Sequence, residues 1–165
     1  MNNTIVENKV DIEKLIYEIR SKQVMLDSDL AKLYECKNGT KVINQAVNRN
    51  IERFPEDFYF QLTKTEFSNL KSQIVTSSLI NNYGGVRKLP YVFTEQGVAM
   101  LATVIKTEVA AEVSVSIMRA FVTMKKYISS NLIEQKLINN MILEHESEIK
   151  LLQESFNKFE EKKEN

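Results

Sequence analysis

The chain has 165 residues, with 22 Lys and Arg balanced by 22 Asp and Glu, one Cys, one His and a hydrophobic share of 43%. That share suffices for one core, the length permits a domain of about 125 residues with an appendage, and no apolar run approaches the roughly 20 residues of a membrane-spanning helix. A lone Cys36 forms no internal disulfide and one His supplies no zinc set, so no oxidised scaffold, metal or other cofactor is expected.

The start, MNNTIVENKVDIEKL, has neither a basic n-region nor an apolar h-region, which gives the expectation of a cytoplasmic protein whose residues 1–11 are a tail. Val24 to Thr63 then reads as two short helices around a tight turn followed by a strand. Asp27 or Ser28 can cap the first helix, and Leu30, Ala31, Leu33 and Tyr34 form its apolar stripe. Lys37-Asn38-Gly39-Thr40 stops it. Asn38 or Gly39 can take positive φ, and Thr40 is the expected N-cap of a second helix from Lys41 to about Arg53, which Phe54-Pro55 ends.

At about 100° per residue the second helix places Val42, Ile43, Ala46, Val47 and Ile51 on one side and Lys41, Asn44, Gln45, Asn48 and Arg49 on the other. An ordinary solvent face favours Glu, Lys and Gln, whereas Asn competes with the helix for backbone bonds. Three Asn between positions 44 and 50 therefore suggest a different demand. Asn and Gln amides can pair with adenine N6 and N7, Arg can fork onto guanine O6 and N7, and Lys41 can hold a phosphate. The alternative is a polar face that tolerates Asn. Asn50 falls on the apolar side, where its amide is expected to bond the backbone of a neighbouring turn.

Phe58, Phe60 and Leu62 alternate with Tyr59 and Gln61, the period of a half-buried strand, and Thr63 or Thr65 can start a helix through Lys71. Residues 74 to 93 predict an extended region, with Ile74-Val75 and Tyr91-Val92-Phe93 flanking Asn81-Asn82-Tyr83-Gly84-Gly85-Val86-Arg87-Lys88. This loop is a candidate wing, because the glycines let the backbone approach a phosphate while Arg87 and Lys88 supply charge; the alternative is a hairpin loop whose glycines only make the turn. Thr94 caps the next helix simply, since Gly97 stands where a full capping box needs Glu or Gln. Val98, Met100, Leu101, Val104 and Ile105 then belong to the core. A further helix from Thr107 or Glu108 is expected to bury Ala111, Val115, Met118, Phe121, Val122 and Met124, with Arg119 in a structural ion pair to Glu95 or Glu112.

From Ile128 onward there is no Pro or Gly, and one heptad register puts Ile128, Gln135, Ile142, Ile149 and Phe156 at a and Asn131, Ile138, His145, Leu152 and Phe159 at d. This predicts a long helix that pairs with a second copy through Ile138, Ile142, His145, Ile149, Leu152 and Phe156, with folding back onto its own domain as the competing arrangement. Residues 41 to 128 carry eleven Lys and Arg against seven Asp and Glu, a balance of +4, while residues 131 to 165 carry five against eight, or −3. The acidic tail thus masks a mildly basic domain, and weak, salt-dependent affinity for DNA from one copy is expected. Glu56-Asp57 and Glu95 have no convergent His or paired nucleophile, so no enzyme and no catalytic residue is expected.

The segments VMLDSDLAKLYE, TKVINQAVNRNIERFPEDFYFQLTKTEF, LKSQIVTSS and LPYVFTEQGVAMLATVI…SIMRAFV closely resemble the ORF6N domain, a relative of the KilA-N domain of phages, large DNA viruses and bacteria. The resemblance covers about residues 12 to 128 in four ordered blocks, with a turn at Glu35-Cys36-Lys37-Asn38-Gly39 slightly longer than the YGV-type turn associated with that family. It implies a DNA-binding module, often found in prophage regulators or antirepressors and commonly attached to a variable C-terminal part. The combined expectation is an α+β, winged helix-turn-helix-like domain with small β-hairpins over 12–128 and a coiled-coil helix over 129–165. Its expected partner is double-stranded DNA, read by Lys41, Asn44, Gln45, Asn48 and Arg49 and held through Arg87 and Lys88. A repressor protein captured without DNA reading is the alternative partner.

Overall fold

A computed structural model of the chain describes residues 10–74 and 88–163. The chain divides into two compact units, residues 1–123 and 124–165. In the first, β1 (Ile16–Ile19), β2 (Lys22–Leu26), β3 (Tyr59–Gln61) and β4 (Tyr91–Thr94) form an antiparallel sheet in the order β1-β2-β4-β3. The helices are α1 (Asp27–Leu33), α2 (Thr40–Arg49), α3 (Lys64–Gln73), α4 (Glu95–Leu101) and α5 (Ala110–Lys163). The architecture is α+β with a long C-terminal helix.

Alternation along the strands gives the sheet two covered faces. Val24, Leu26 and Val92 join Ile19, Leu62 and the α3 residues Phe67 and Leu70 in one cluster. Met25 and Phe93 are register partners, fully buried, and alternation turns them to the opposite face, where Phe93 packs edge-on against Phe54 and lies beneath Gly97 of α4. The β1–β2 hairpin was not foreseen. Its turn, Arg20-Ser21, holds both residues at positive φ, 54° and 59°, without Gly or Asn. Arg20 is fastened there by its guanidinium, which donates from Nε and Nη2 to the two Glu66 carboxylate oxygens at 2.8 Å each and lies 4.3 Å from the Phe60 ring centroid. Thr63 and Glu66 make a reciprocal capping box at the start of α3, so of the two expected starters it is Thr63 that acts.

Several expected boundaries and faces are corrected. Leu26, not Asp27 or Ser28, stands at the N-cap of α1; Asp27 opens the helix, with Oδ1 accepting from the Ser28 N–H and Oδ2 from the Tyr91 N–H, which ties α1 to β4. Gly39 at φ 60° replaces Thr40 as the residue before α2, and α2 ends at Arg49 because Asn50 leaves helical geometry and a 3-10 turn follows over Ile51–Arg53. That early end turns Ile51 outward, 51% exposed, instead of onto the core side. Ile74 closes α3 rather than opening a strand, and the expectation for Val75 and the wing up to Arg87 lies outside the described residues.

The buried stripe of α5 is also displaced. Ala110, Ile117, Ala120 and Phe121 are buried, whereas Ala111, Val115 and Val122 are exposed and Met118 and Met124 half-buried. Arg119 is exposed as well, which removes the reason for a buried ion pair. In the second unit α5 runs on to Lys163, and every side chain from Ser129 to Lys163 is exposed.

Candidate nucleic-acid interface

Two buried anchors fix how α2 sits: Ile43 and Val47, one turn apart, are 0% and 1% exposed. The polar arc opposite them is open. Lys41, Gln45, Asn48 and Arg49 are exposed, and Asn44 is half-buried at the edge of the arc. Asn50 stays out of this set, since its Nδ2 donates to the Ala46 carbonyl at 2.9 Å and closes the last turn of its own helix. The amide bonds backbone as expected, but within its own helix rather than in a neighbouring turn.

The helix ahead of α2 is held by contacts remote in sequence. Tyr34 follows the last turn of α1, is fully buried, and its hydroxyl shares a 2.8 Å hydrogen bond with Ser114 Oγ of α5. Glu35 takes the left-handed conformation, φ 53°, and lets the Cys36 N–H return to the Ala31 carbonyl at 2.9 Å. Burial pushes the Cys36 thiol up from its ordinary value, so a small apolar role fits it better than thiolate chemistry.

Concavities flank α2 on both sides and share no lining residue. On the first side, a cleft of about 340 Å³ brings Asn44 and Lys88 together with Asp27, Lys32, Thr40 and Tyr91. Lys88 is exposed there, with its ammonium 5.3 Å from the Tyr91 ring centroid, and Tyr91 in turn stacks on Tyr59 at 5.1 Å. Arg87, its expected companion, lies outside the described residues. On the second side, a groove of about 550 Å³ collects Gln45 and Arg49 with Arg53 and Lys106. The five α2 positions expected to face a DNA groove are thus not one uniform patch. Lys41 and Asn48 occupy the middle of the arc, Asn44 leans toward Lys88, and Gln45 and Arg49 lean toward the connection between α4 and α5.

Arg53 and Lys106 were missed by sequence reasoning. The sequence pattern places Arg53 in the last turn of the helix, and Lys106 follows a core helix with no basic neighbour to mark it. Only the fold sets them beside the same groove. Among the described residues, no set of three or more His, Cys, Asp or Glu gathers as metal ligands, and no helix is long and apolar enough to cross a membrane.

The described residues thus form an α+β domain in which a short helix precedes an amide-rich, cationic one. The family model for the ORF6N domain matches residues 14–104, more than half of the chain, and the chain belongs to the ORF6N domain family. No curated protein and no solved structure matches it.

Proposed function

We propose that this chain is a sequence-specific double-stranded DNA-binding regulator of phage or mobile-element genes, a binding module and not a catalyst. The observation that carries the reading is the openness of the α2 polar arc, with Lys41, Gln45, Asn48 and Arg49 exposed above the buried anchors Ile43 and Val47. A helix about 10–12 Å across with its side chains enters the roughly 12 Å wide major groove, and the ten residues of α2 give about 15 Å of length to present side chains to base edges. Membership in the ORF6N family supports a regulator of this type. In this reading Asn44, Gln45, Asn48 and Arg49 read bases, while Lys41, Lys88 and Arg87 contact phosphates.

A dimer joined through the exposed apolar residues of α5 gives the weakly basic domain a second reader helix. Ile138, Ile142, Ile149, Leu152 and Phe156 lie on one heptad seam, with His145 among them, and all are exposed in the single chain. The reading is tested by selecting from random duplex DNA with the full chain and with Gln45→Ala/Arg49→Ala. Enrichment of a motif by the parent, lost at two or more positions in the variant, supports base reading by α2. If the parent enriches nothing and does not bind at low salt, the reading fails, and capture of a repressor protein through the tail takes its place.

A further inference from the structure

We infer that the groove between α2 and the α4–α5 connection is a second phosphate-backbone clamp, in which Arg53 and Lys106 hold the DNA strand on the side of α2 opposite Lys88. This rests on the DNA-binding reading above and extends it to two residues outside the sequence-derived set.

The groove is lined by Gln45, Arg49, Arg53 and Lys106 over a floor of Val42, Ala46 and Ile105, and no carboxylate is among its lining residues. Arg49, Arg53 and Lys106 are exposed, and no salt bridge ties them among the described residues. Three cations lining one concavity with no carboxylate among them make it a place of positive potential that favours an anion. Their arrangement also matches an extended polyanion. Arg49 leaves the last turn of α2, Arg53 closes the 3-10 turn that follows, and Lys106 comes from a loop some fifty residues later. The three therefore reach one open groove from separate segments, and its volume of about 550 Å³ is larger than a single small anion needs.

Duplex DNA supplies the partner that this symmetry fits. A helix lying in the major groove has a phosphate strand on each flank, so a reader needs cations on both sides of its axis. Lys88 stands on one flank beside Asn44, and Arg53 with Lys106 stands on the other beside Gln45 and Arg49. Because the flank carries its charge on long side chains at the rim, it contributes affinity and orientation without sequence information. The bases remain the task of the α2 arc between the two clamps.

The test compares the full chain, Arg53→Ala/Lys106→Ala, and Lys150→Ala/Lys158→Ala, which removes the same charge from the tail. Each is titrated with duplex DNA over a range of salt concentrations, after circular dichroism has shown that its fold is intact. Two lost phosphate contacts should make the plot of log affinity against log salt shallower by about 2 in slope, weaken binding to all sequences alike, and leave the selected motif unchanged. The tail variant should keep the parent slope. If the Arg53/Lys106 variant keeps the parent slope and affinity, the clamp is overturned while α2 recognition stands. If the motif changes instead, these side chains read bases and the phosphate role is overturned. If the parent itself fails to bind at low salt, the DNA reading falls and takes the clamp with it.

Discussion

Two carboxylates near the sheet draw the stability of this domain in opposite directions as pH changes. Asp29 is 2% exposed and its Oδ2 has no hydrogen-bond partner among the described residues; burial pushes its carboxyl up to about 6, against a smaller pull from Lys32. The folded state thus holds this proton more tightly than the unfolded chain does. Its contribution to stability is greatest below the ordinary carboxylate range and falls away as pH climbs through about 6. Asp29→Asn, which cannot ionise, should be more stable than the parent by about 2 kcal/mol at neutral pH and should lose that advantage in acid, below about pH 4. Parallel urea-unfolding profiles of the two proteins across this range would show that Asp29 does not carry the effect. Glu66 is the reverse case. The Arg20 hydrogen bonds, and then the Thr63 backbone N–H, hold its carboxyl down at about 2. Its stabilisation is complete above the ordinary carboxylate range and is lost as pH falls through about 2. Glu66→Gln keeps an acceptor for the capping box but removes the charge, and the pair is solvent-facing, so a loss of only about 0.5–1 kcal/mol at neutral pH is expected, vanishing near pH 2. A neutral-pH loss that persists unchanged into strong acid would assign the effect to the cap rather than to the ion pair.

At the scale of elements, one glycine decides how α4 meets the sheet. A Cβ on Gly97 would collide with the Phe58 carbonyl oxygen, which is itself pinned by the Thr94 N–H at 3.0 Å and the Thr94 hydroxyl at 3.1 Å. Gly97→Ala should therefore destabilise the domain by about 3 kcal/mol despite the better helix propensity of Ala, a lowered urea midpoint being the direct readout. An unchanged midpoint would mean that α4 can shift without cost. The same residue shows where sequence legibility stops: Gly97 is visible as a missing capping-box partner, but the carbonyl that demands it lies 39 positions earlier. The α2 face was legible because its apolar residues recur at helical spacing and two of them, Ile43 and Val47, are buried. Its end was not, since Asn50 leaves helical geometry and a 3-10 turn follows with no Gly or Pro before Pro55 to mark the change. The first hairpin escaped notice because Arg20-Ser21 lacks turn chemistry and depends on Glu66 and Phe60, which the sheet brings from afar. The α5 stripe was misplaced for a related reason. Val, Ile and Met occupy several phases of that helix, and the true face includes Ser114, a polar residue satisfied by Tyr34 across 80 positions.

For the molecule as a whole, the proposed DNA binding would depend on how many copies of a mildly basic domain act together. The balance of +4 over residues 41 to 128 is small, and single-domain binding dominated by a few phosphate contacts weakens steeply with salt. Joining two domains through α5 would make the second binding event intramolecular. The seam from Ile138 through Ile142, His145, Ile149, Leu152 and Phe156 to Phe159 has six apolar residues in seven, whereas Leu137 and Leu151 lie off it although each is about 60% exposed. This distinction sets the experiment. Ile142→Lys/Ile149→Lys places two charges at successive a positions, where burial without a partner costs several kcal/mol, and should leave only monomers in sedimentation equilibrium where the parent chain, in the proposed reading, is a dimer. Leu137→Ser/Leu151→Ser removes comparable apolar area from outside the seam and should leave the mass unchanged. DNA affinity should follow the mass: the first variant binds a two-site duplex no more tightly than a one-site duplex, and the second keeps the parent's preference for two sites. Should the Lys variant retain the parent mass, the heptad seam is the wrong surface; should both variants be monomeric, the whole apolar width of α5 is engaged and a two-stranded coil is too narrow a description.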